Sequence, residues 1–254
     1  SGMMKQILLI TDGGSNVGES PVTAAAQAYA EGITVNVAGV VDEGTIGEYG
    51  ATEIADIARA GGGISQIVTS RQLSKTVQMM TRQTVAGTIR QAVNQELRQL
   101  FGVNDVGSLP PPKRGEVVKV MEEMEETMSL SVALLIDASA SMKPKLHAVE
   151  EAIRDLTLSL QARTGRSQVS VFHFPGDSQY SYCVMDAGWH SNASNLGSLF
   201  GKIRMRGTTP TGPALLQVVD YIRETCGKIG KIELMDESHA SGGGSSEVRS
   251  DNVV

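Results

Sequence analysis

The sequence predicts an α/β fold: a three-layer, doubly wound, mostly parallel sheet with helices on both faces. Three observations carry this. Apolar runs at Gln6–Thr11 (QILLIT), Ile33–Val40 (ITVNVAGV) and Leu130–Ile136 (LSVALLI) suit strands covered on both faces. Amphipathic segments of helical period separate them. Two of the runs end abruptly in aspartate, Asp12 and Asp137, where buried strands deliver polar groups to the carboxyl rim of a sheet.

Taken in order, Asp12–Gly13–Gly14 closes the first strand. Ser20 as N-cap and Pro21 in the first turn open a helix that runs to about Glu31 and stops at Gly32. Ile33–Val40 is the second strand. Thr52–Ala60 is a short helix ended by Gly61–Gly62–Gly63, and Ile64–Val68 is the third strand. From Leu73 to Leu100, the residues Val77, Met80, Val85, Ile89, Val93 and Leu97 keep helical spacing with one buried face. Gly102–Gly115 carries Pro110–Pro111–Pro112 and is expected to be an irregular connector of polyproline character. Glu116–Met128 is an amphipathic helix whose methionines Met121, Met124 and Met128 pack inward, while its glutamates form a solvated face.

The strand Leu130–Ile136 is followed by a helical stripe of Leu146, Val149, Ile153, Leu156 and Leu160. Gln168–Phe174 alternates as a strand, with Gln179–Asp186 as its partner. Trp189–Gly201 is expected to hold a short helix and a loop. Ala214, Leu215, Val218, Val219 and Ile222 mark a last helix that Gly227 ends. The stretch 237–254, rich in Gly, Ser and charge, is expected to be a flexible tail. There is no internal repeat.

Composition narrows the function classes. With 4% aromatic residues, the core must be built from Val, Ile, Leu, Ala and Met. A net charge of −6 argues against nucleic acid as a partner. No segment approaches the roughly 18 uninterrupted apolar residues of a membrane span, and no secretory signal is evident. The two cysteines, Cys183 and Cys226, are therefore expected as reduced thiols in a cytoplasmic protein.

Three strand-end loops carry oxygen donors. The first is Asp137-x-Ser139-x-Ser141, in the stretch LLIDASASM; the second holds Thr208, Thr209 and Thr211; the third holds Asp12. Two carboxylates, two serines and a threonine can present five hard oxygens to one divalent ion. Hydroxyls are neutral ligands and leave charge on the ion, so an incoming carboxylate would bind to it.

This set resembles the metal-ion-dependent adhesion site of von Willebrand factor A domains. The resemblance rests on DASAS at Asp137–Ser141, TPTG at Thr209–Gly212 and LITDG at Leu9–Gly13. It implies Asp137, Ser139, Ser141, Thr209 and Asp12 as metal ligands, with Gly13, Thr208 and Thr211 at the rim or behind them. The implied cofactor is Mg²⁺, with Mn²⁺ or Ca²⁺ as alternatives. The implied partner is a protein presenting Asp or Glu. The motif order departs from the family, in which DxSxS comes first. Residues 3–226 therefore read as one circularly permuted domain of Rossmann-like fold. In it, 3–102 form the second half, 103–128 a linker with its amphipathic helix, and 129–226 the first half. Closure within one chain makes a monomer the expectation over a swapped dimer.

Other chemistries fit less well. Gly13-x-x-x-x-Gly18-Glu19-Ser20 mimics a phosphate-binding loop, but Glu19 stands at the lysine position. A Mg²⁺-dependent phosphohydrolase using Asp137 is the alternative function. It lacks a second aspartate at Ser139 and an obvious lysine to clamp the phosphoryl group, so the chain is expected not to be an enzyme. His147, His173, His190 and His239 are scattered, with no zinc spacing.

Overall fold

The structure is a computed structural model that describes residues 2–15, 17–42, 48–176, 181–189 and 208–240. Among them, the chain forms β1 (Met4–Thr11), α1 (Pro21–Ala30), β2 (Ile33–Val41), α2 (Glu48–Ala60), β3 (Gly62–Thr69) and α3 (Leu73–Phe101). It continues with α4 (Pro111–Thr127), β4 (Leu130–Asp137), α5 (Leu146–Gln161), β5 (Ser167–Phe174), β6 (Val184–Ala187) and α6 (Thr211–Ala240). Two compact units divide the chain: Ser1–Val219, which holds the sheet, and Asp220–Val254.

The sheet runs β3-β2-β1-β4-β5-β6. Strands β1 to β5 are parallel, and β6 is antiparallel to β5. From β1 the chain winds one way to β2 and β3. From β4 it winds the other way to β5 and β6. The reversal lies between β1 and β4, which pair from Met4↔Leu130 to Ile10↔Ile136. Crevices at such switch points, beyond the carboxyl ends of the strands, are where open α/β sheets bind ligands.

Side-chain alternation divides the strands between two helical layers. Leu8, Ile10, Leu130, Val132, Leu134 and Ile136 share one cluster with Leu73, Val77 and Met80 of α3 and Val149, Ile153 and Leu156 of α5. The alternate residues Ile7, Leu9, Ala133 and Leu135, also buried, point to the other face, and α1 and α2 pack together and on β2 and β3. All eight residues of β4 are buried, so its continuous apolar run reflects cover on both sides. Each fully buried Leu or Ile contributes roughly 1.5–3 kcal/mol.

Several elements differ from expectation for local physical reasons. Pro110 caps α4, and Pro111 and Pro112 sit in its first turn, where a missing N–H needs no partner. The helix therefore starts inside the predicted polyproline connector. Helix α2 begins at Glu48 rather than Thr52. Helix α6 continues through Gly227 to Ala240, so the first residues of the expected tail are helical. Residues 241–254, and 190–201 of the predicted helix and loop, lie outside the described residues. No helix among the described residues is long and apolar enough to cross a membrane.

The Gly61–Gly63 run has a job beyond ending α2. Between β2 and β3 the register slips, with Val35 opposite Gly62 and Val37 opposite Ser65. Asn36 Oδ1 accepts the Ile64 N–H at 3.0 Å within this irregularity, and its Nδ2 donates to Thr84 Oγ1 on α3 at 2.8 Å. A Cβ on Gly63 would lie 2.0 Å from the Val35 carbonyl oxygen. Gly63→Ala should lower the melting temperature by roughly 5 °C or more. In contrast, Gly87→Ala, in the interior of α3 with nothing within 4 Å of its Cβ, should raise it by roughly 1–3 °C. Thermal melts of the two variants check both signs.

Candidate functional site

The paired ends of β1 and β4 set the centre of the site. Asp137, the last residue of β4, is 1% exposed. Its Oδ1 accepts the Ser139 N–H at 2.8 Å, which turns the chain away from the strand. Its Oδ2 accepts the Thr11 hydroxyl at 2.8 Å. Thr11 ends β1 and so is carried to this carboxylate by the β1–β4 register. The same hydroxyl accepts the Gly13 N–H at 3.3 Å, which ties the TDG turn to Asp137.

Burial pushes the Asp137 carboxyl above the usual aspartate range. The Ser139 and Thr11 donors pull against burial, and the charge of Asp12 adds to it. Asp12 thus lies close enough to be felt by Asp137. Beyond Asp137, the Ser139 and Ser141 hydroxyls are 3.3 Å apart. Ser139 is buried and Ser141 exposed, so this pair steps from the sheet towards the surface.

The third loop meets the first strand's loop through glycine. A Cβ on Gly212, in the first turn of α6, would lie 1.9 Å from the Glu19 carbonyl oxygen. This close approach seats Thr209 beside the β1–α1 loop. Thr209 Oγ1 donates to the Gly14 carbonyl at 3.0 Å, and Ser15 Oγ donates to the Thr209 carbonyl at 3.1 Å. Thr208 is exposed. The Thr211 hydroxyl is buried with no hydrogen-bond partner among the described residues. Glu53 of α2 accepts the Ser15 N–H at 3.1 and 3.2 Å, and burial raises its carboxyl above the usual range against that bond.

Sequence reasoning missed four of these residues: Thr11, Ser15, Glu53 and Lys145. Lys145 is the most consequential. Its Nζ lies 3.3 Å from Asp12 Oδ2, and the two side chains are only 11% and 13% exposed. The sequence offers no obvious lysine for a phosphoryl clamp, and the structure brings this one to Asp12. Lys145 ends the 3-10 segment Ala140–Lys145 that follows the serines, and Met142, fully buried, anchors that segment. Position along the chain gave the only signal, eight residues after Asp137 in DASASMKPK.

The donor set suits a hard cation better than a soft one. No cluster of three or more His, Cys, Asp or Glu side chains arranged to hold a metal exists among the described residues. The set instead combines two carboxylates with hydroxyls. A hydroxyl ligand must send its proton elsewhere, and Thr209 sends its proton to Gly14. The Thr211 hydroxyl, without a hydrogen-bond partner among the described residues, and the Asp137 carboxyl, whose two donors do not offset its desolvation, are groups that a cation could relieve. Away from this set, His173 Nδ1 meets Asp186 Oδ2 at 2.7 Å in a buried pair between β5 and β6. Cys183 and Cys226 are buried and form no disulfide, and burial, then Asp186, pushes the Cys183 thiol up to about 12.

An elevated native pKa means that folded Asp137 holds its proton more tightly than unfolded Asp137. Its favourable contribution is complete below the ordinary aspartate pKa of about 3.9 and is lost as pH rises through the elevated native value. Asp137→Asn should therefore raise the melting temperature in EDTA at pH 7 by roughly 2 °C or more. The gain over wild type should shrink towards pH 4, and melts across that range would check it.

No model of a known protein family matches the chain. It is 46% identical over 216 residues to an uncharacterized Bacillus subtilis (strain 168) protein, YabS, which covers 85% of this chain and 87% of that one. It matches the crystal structure of an uncharacterized protein from Alicyclobacillus acidocaldarius subsp. acidocaldarius DSM 446 with a TM-score of 0.82 at 41% identity, over 89% of this chain and 97% of that one. Proximal thread matrix protein 1 from the mussel byssus, with a zinc-occupied MIDAS motif, matches at 17% identity and a TM-score of 0.26, over 81% of this chain and 43% of that one, a likeness that carries no argument. The identity to YabS extends over most of both sequences, and the chain belongs to the YabS family.

Proposed function

We propose that the chain is a circularly permuted von Willebrand factor A domain that binds a protein partner through a divalent cation. One observation carries the reading. The desolvated Asp137 and the neighbouring Asp12 converge at the β1–β4 switch point, and the other donors that the sequence motifs name are hydroxyls. Asp137, Ser139, Ser141, Thr209 and Asp12 would hold the ion. Gly13, Thr208 and Thr211 would border or support it. Mg²⁺ is the proposed ion, with Mn²⁺ and Ca²⁺ as alternatives; it would supply a Lewis-acidic position for an Asp or Glu of the partner. Strand order supports the permutation: each wing of the sheet starts at the switch point, so exchanging the two halves in sequence leaves the strand neighbours unchanged. Pairing of β1 with β4 along their length supports closure within one chain. The net charge of −6 disfavours nucleic acid, and two buried cysteines outside any disulfide fit a cytoplasmic setting.

One observation favours the alternative, a Mg²⁺-dependent phosphohydrolase. The Lys145 ammonium beside Asp12 is the kind of cation that a phosphoryl group would need. Against it, both Asp137 oxygens accept hydrogen bonds from fixed donors, and Ser139 stands where a catalytic acid would be. The binding reading is therefore preferred.

Titration calorimetry in Mg²⁺ should find one site in the wild type. Asp137→Ala or Asp12→Ala should weaken it by at least tenfold, about 1.4 kcal/mol, with the circular dichroism spectrum unchanged. Unchanged affinity in both variants would refute the site. Phosphoester turnover abolished by Asp137→Asn would favour the hydrolase instead.

A further inference from the structure

Two lysines follow the serine motif in one short segment, and the fold treats them differently. Lys143 is exposed to water. Lys145, two residues on, keeps only 11% of its side chain exposed and places its Nζ 3.3 Å from Asp12 Oδ2. Holding a long, flexible lysine in place sacrifices side-chain entropy, and removing its ammonium from water carries a desolvation penalty. A solvated surface lysine has neither. Met142 and Leu146, both buried, fix the backbone on either side of it. Asp12 lies close enough to Asp137 for their like charges to oppose each other. The ammonium answers that repulsion on one carboxylate, while neutral donors answer it on the other.

We infer that Lys145 is a tethered cation that competes with the metal for Asp12 and sets the divalent-ion concentration at which the site loads. This rests on the metal-binding reading above. A divalent ion entering between Asp12 and Asp137 meets a positive charge already placed on one of its ligands. Like charges a few ångströms apart in a partly desolvated site repel strongly. Loading therefore requires the ammonium to leave Oδ2 or to share Asp12. The pair compensates the site's charge in the unloaded state and gives up part of that stabilisation when the ion arrives. Coupling of this kind is reciprocal: the Lys145–Asp12 contact weakens metal binding by the same factor by which a bound metal would weaken that contact.

Mg²⁺ titration calorimetry on the full chain tests this, with Lys145→Gln, Lys143→Gln and Lys145→Arg beside the wild type. Lys145→Gln should bind Mg²⁺ roughly fivefold tighter or more. Lys143→Gln removes the same formal charge from the same segment and should change affinity less than twofold. Lys145→Arg, which keeps the cation, should stay near wild type. In EDTA, Lys145→Gln should also lower the melting temperature, and that loss should vanish in an Asp12→Asn background. If Lys145→Gln fails to fold, Lys145→Met keeps the apolar stem and is read in the same way. Wild-type binding with no gain in Lys145→Gln, or equal gains in both glutamine variants, overturns the tethered cation and leaves the metal site standing. Absence of Mg²⁺, Mn²⁺ and Ca²⁺ binding in every variant overturns both.

Discussion

Asp137 is a carboxylate buried at the end of a strand with no exposed residue, and the surrounding chain is arranged around what its charge needs. An ionised group in that position must be met by donors or by a cation. The Ser139 N–H meets one oxygen because the chain turns immediately after β4. The Thr11 hydroxyl meets the other because β1 lies in one register and no other. A one-residue slip of β1 would turn Thr11 to the opposite face and bring Leu9 and Ile7 with it. Apolar cover on both faces of β1 and β4 is therefore what fixes the polar contact at their ends. Packing energy spread over many methyl groups specifies the position of two oxygen atoms.

The switch point also explains where the chain spends its length. After β3, at one edge, the chain must return to the middle of the sheet to start β4. It does so through α3, 29 residues, and α4, 17 residues, the former spanning roughly 43 Å at the rise of an α-helix. Helix α3 crosses the buried face of the sheet and meets polar groups there. Asn36 and Thr84 satisfy each other, and Gln6 donates to the Thr81 carbonyl. Such a polar seam favours one seating of α3 over its neighbours, because any slide would leave amides unpaired in the core. The long return thus carries its own register mark, and β4 begins where the β1 ladder can accept it.

Much of this was legible in sequence for one reason. Strands buried on both faces must be apolar throughout, so QILLIT, ITVNVAGV and LSVALLI announce themselves, and the polar residues that end them stand out. What stayed hidden depends on distance in space. Thr11 reads as an ordinary strand residue until β4 is placed beside it. Nothing in the sequence sets Lys145 apart from Lys143 until the segment between Met142 and Leu146 is folded. Ser15 and Glu53 are 38 residues apart, and nothing in their local patterns relates them. The three prolines misled in the opposite direction. Proline is barred from the middle of a helix but suits its first turn, so the triplet marks the start of α4 rather than a break.

The balance between binding and hydrolysis turns on how freely Asp137 could act. A nucleophilic carboxylate must present an oxygen in line with the bond it attacks and must change its contacts as charge moves onto the new bond. Asp137 is 1% exposed, and each oxygen already accepts a hydrogen bond from the ends of two paired strands. Moving it would break contacts that the sheet register enforces. Donating a second lone pair to a cation asks nothing of the kind, since a carboxylate oxygen can accept a hydrogen bond and bind an ion together. Thr209 follows the same logic, with its proton committed to Gly14. Groups held this firmly are suited to fixing a charge in place, and a fixed positive charge at the rim of a sheet is what an acidic side chain from another protein would recognise.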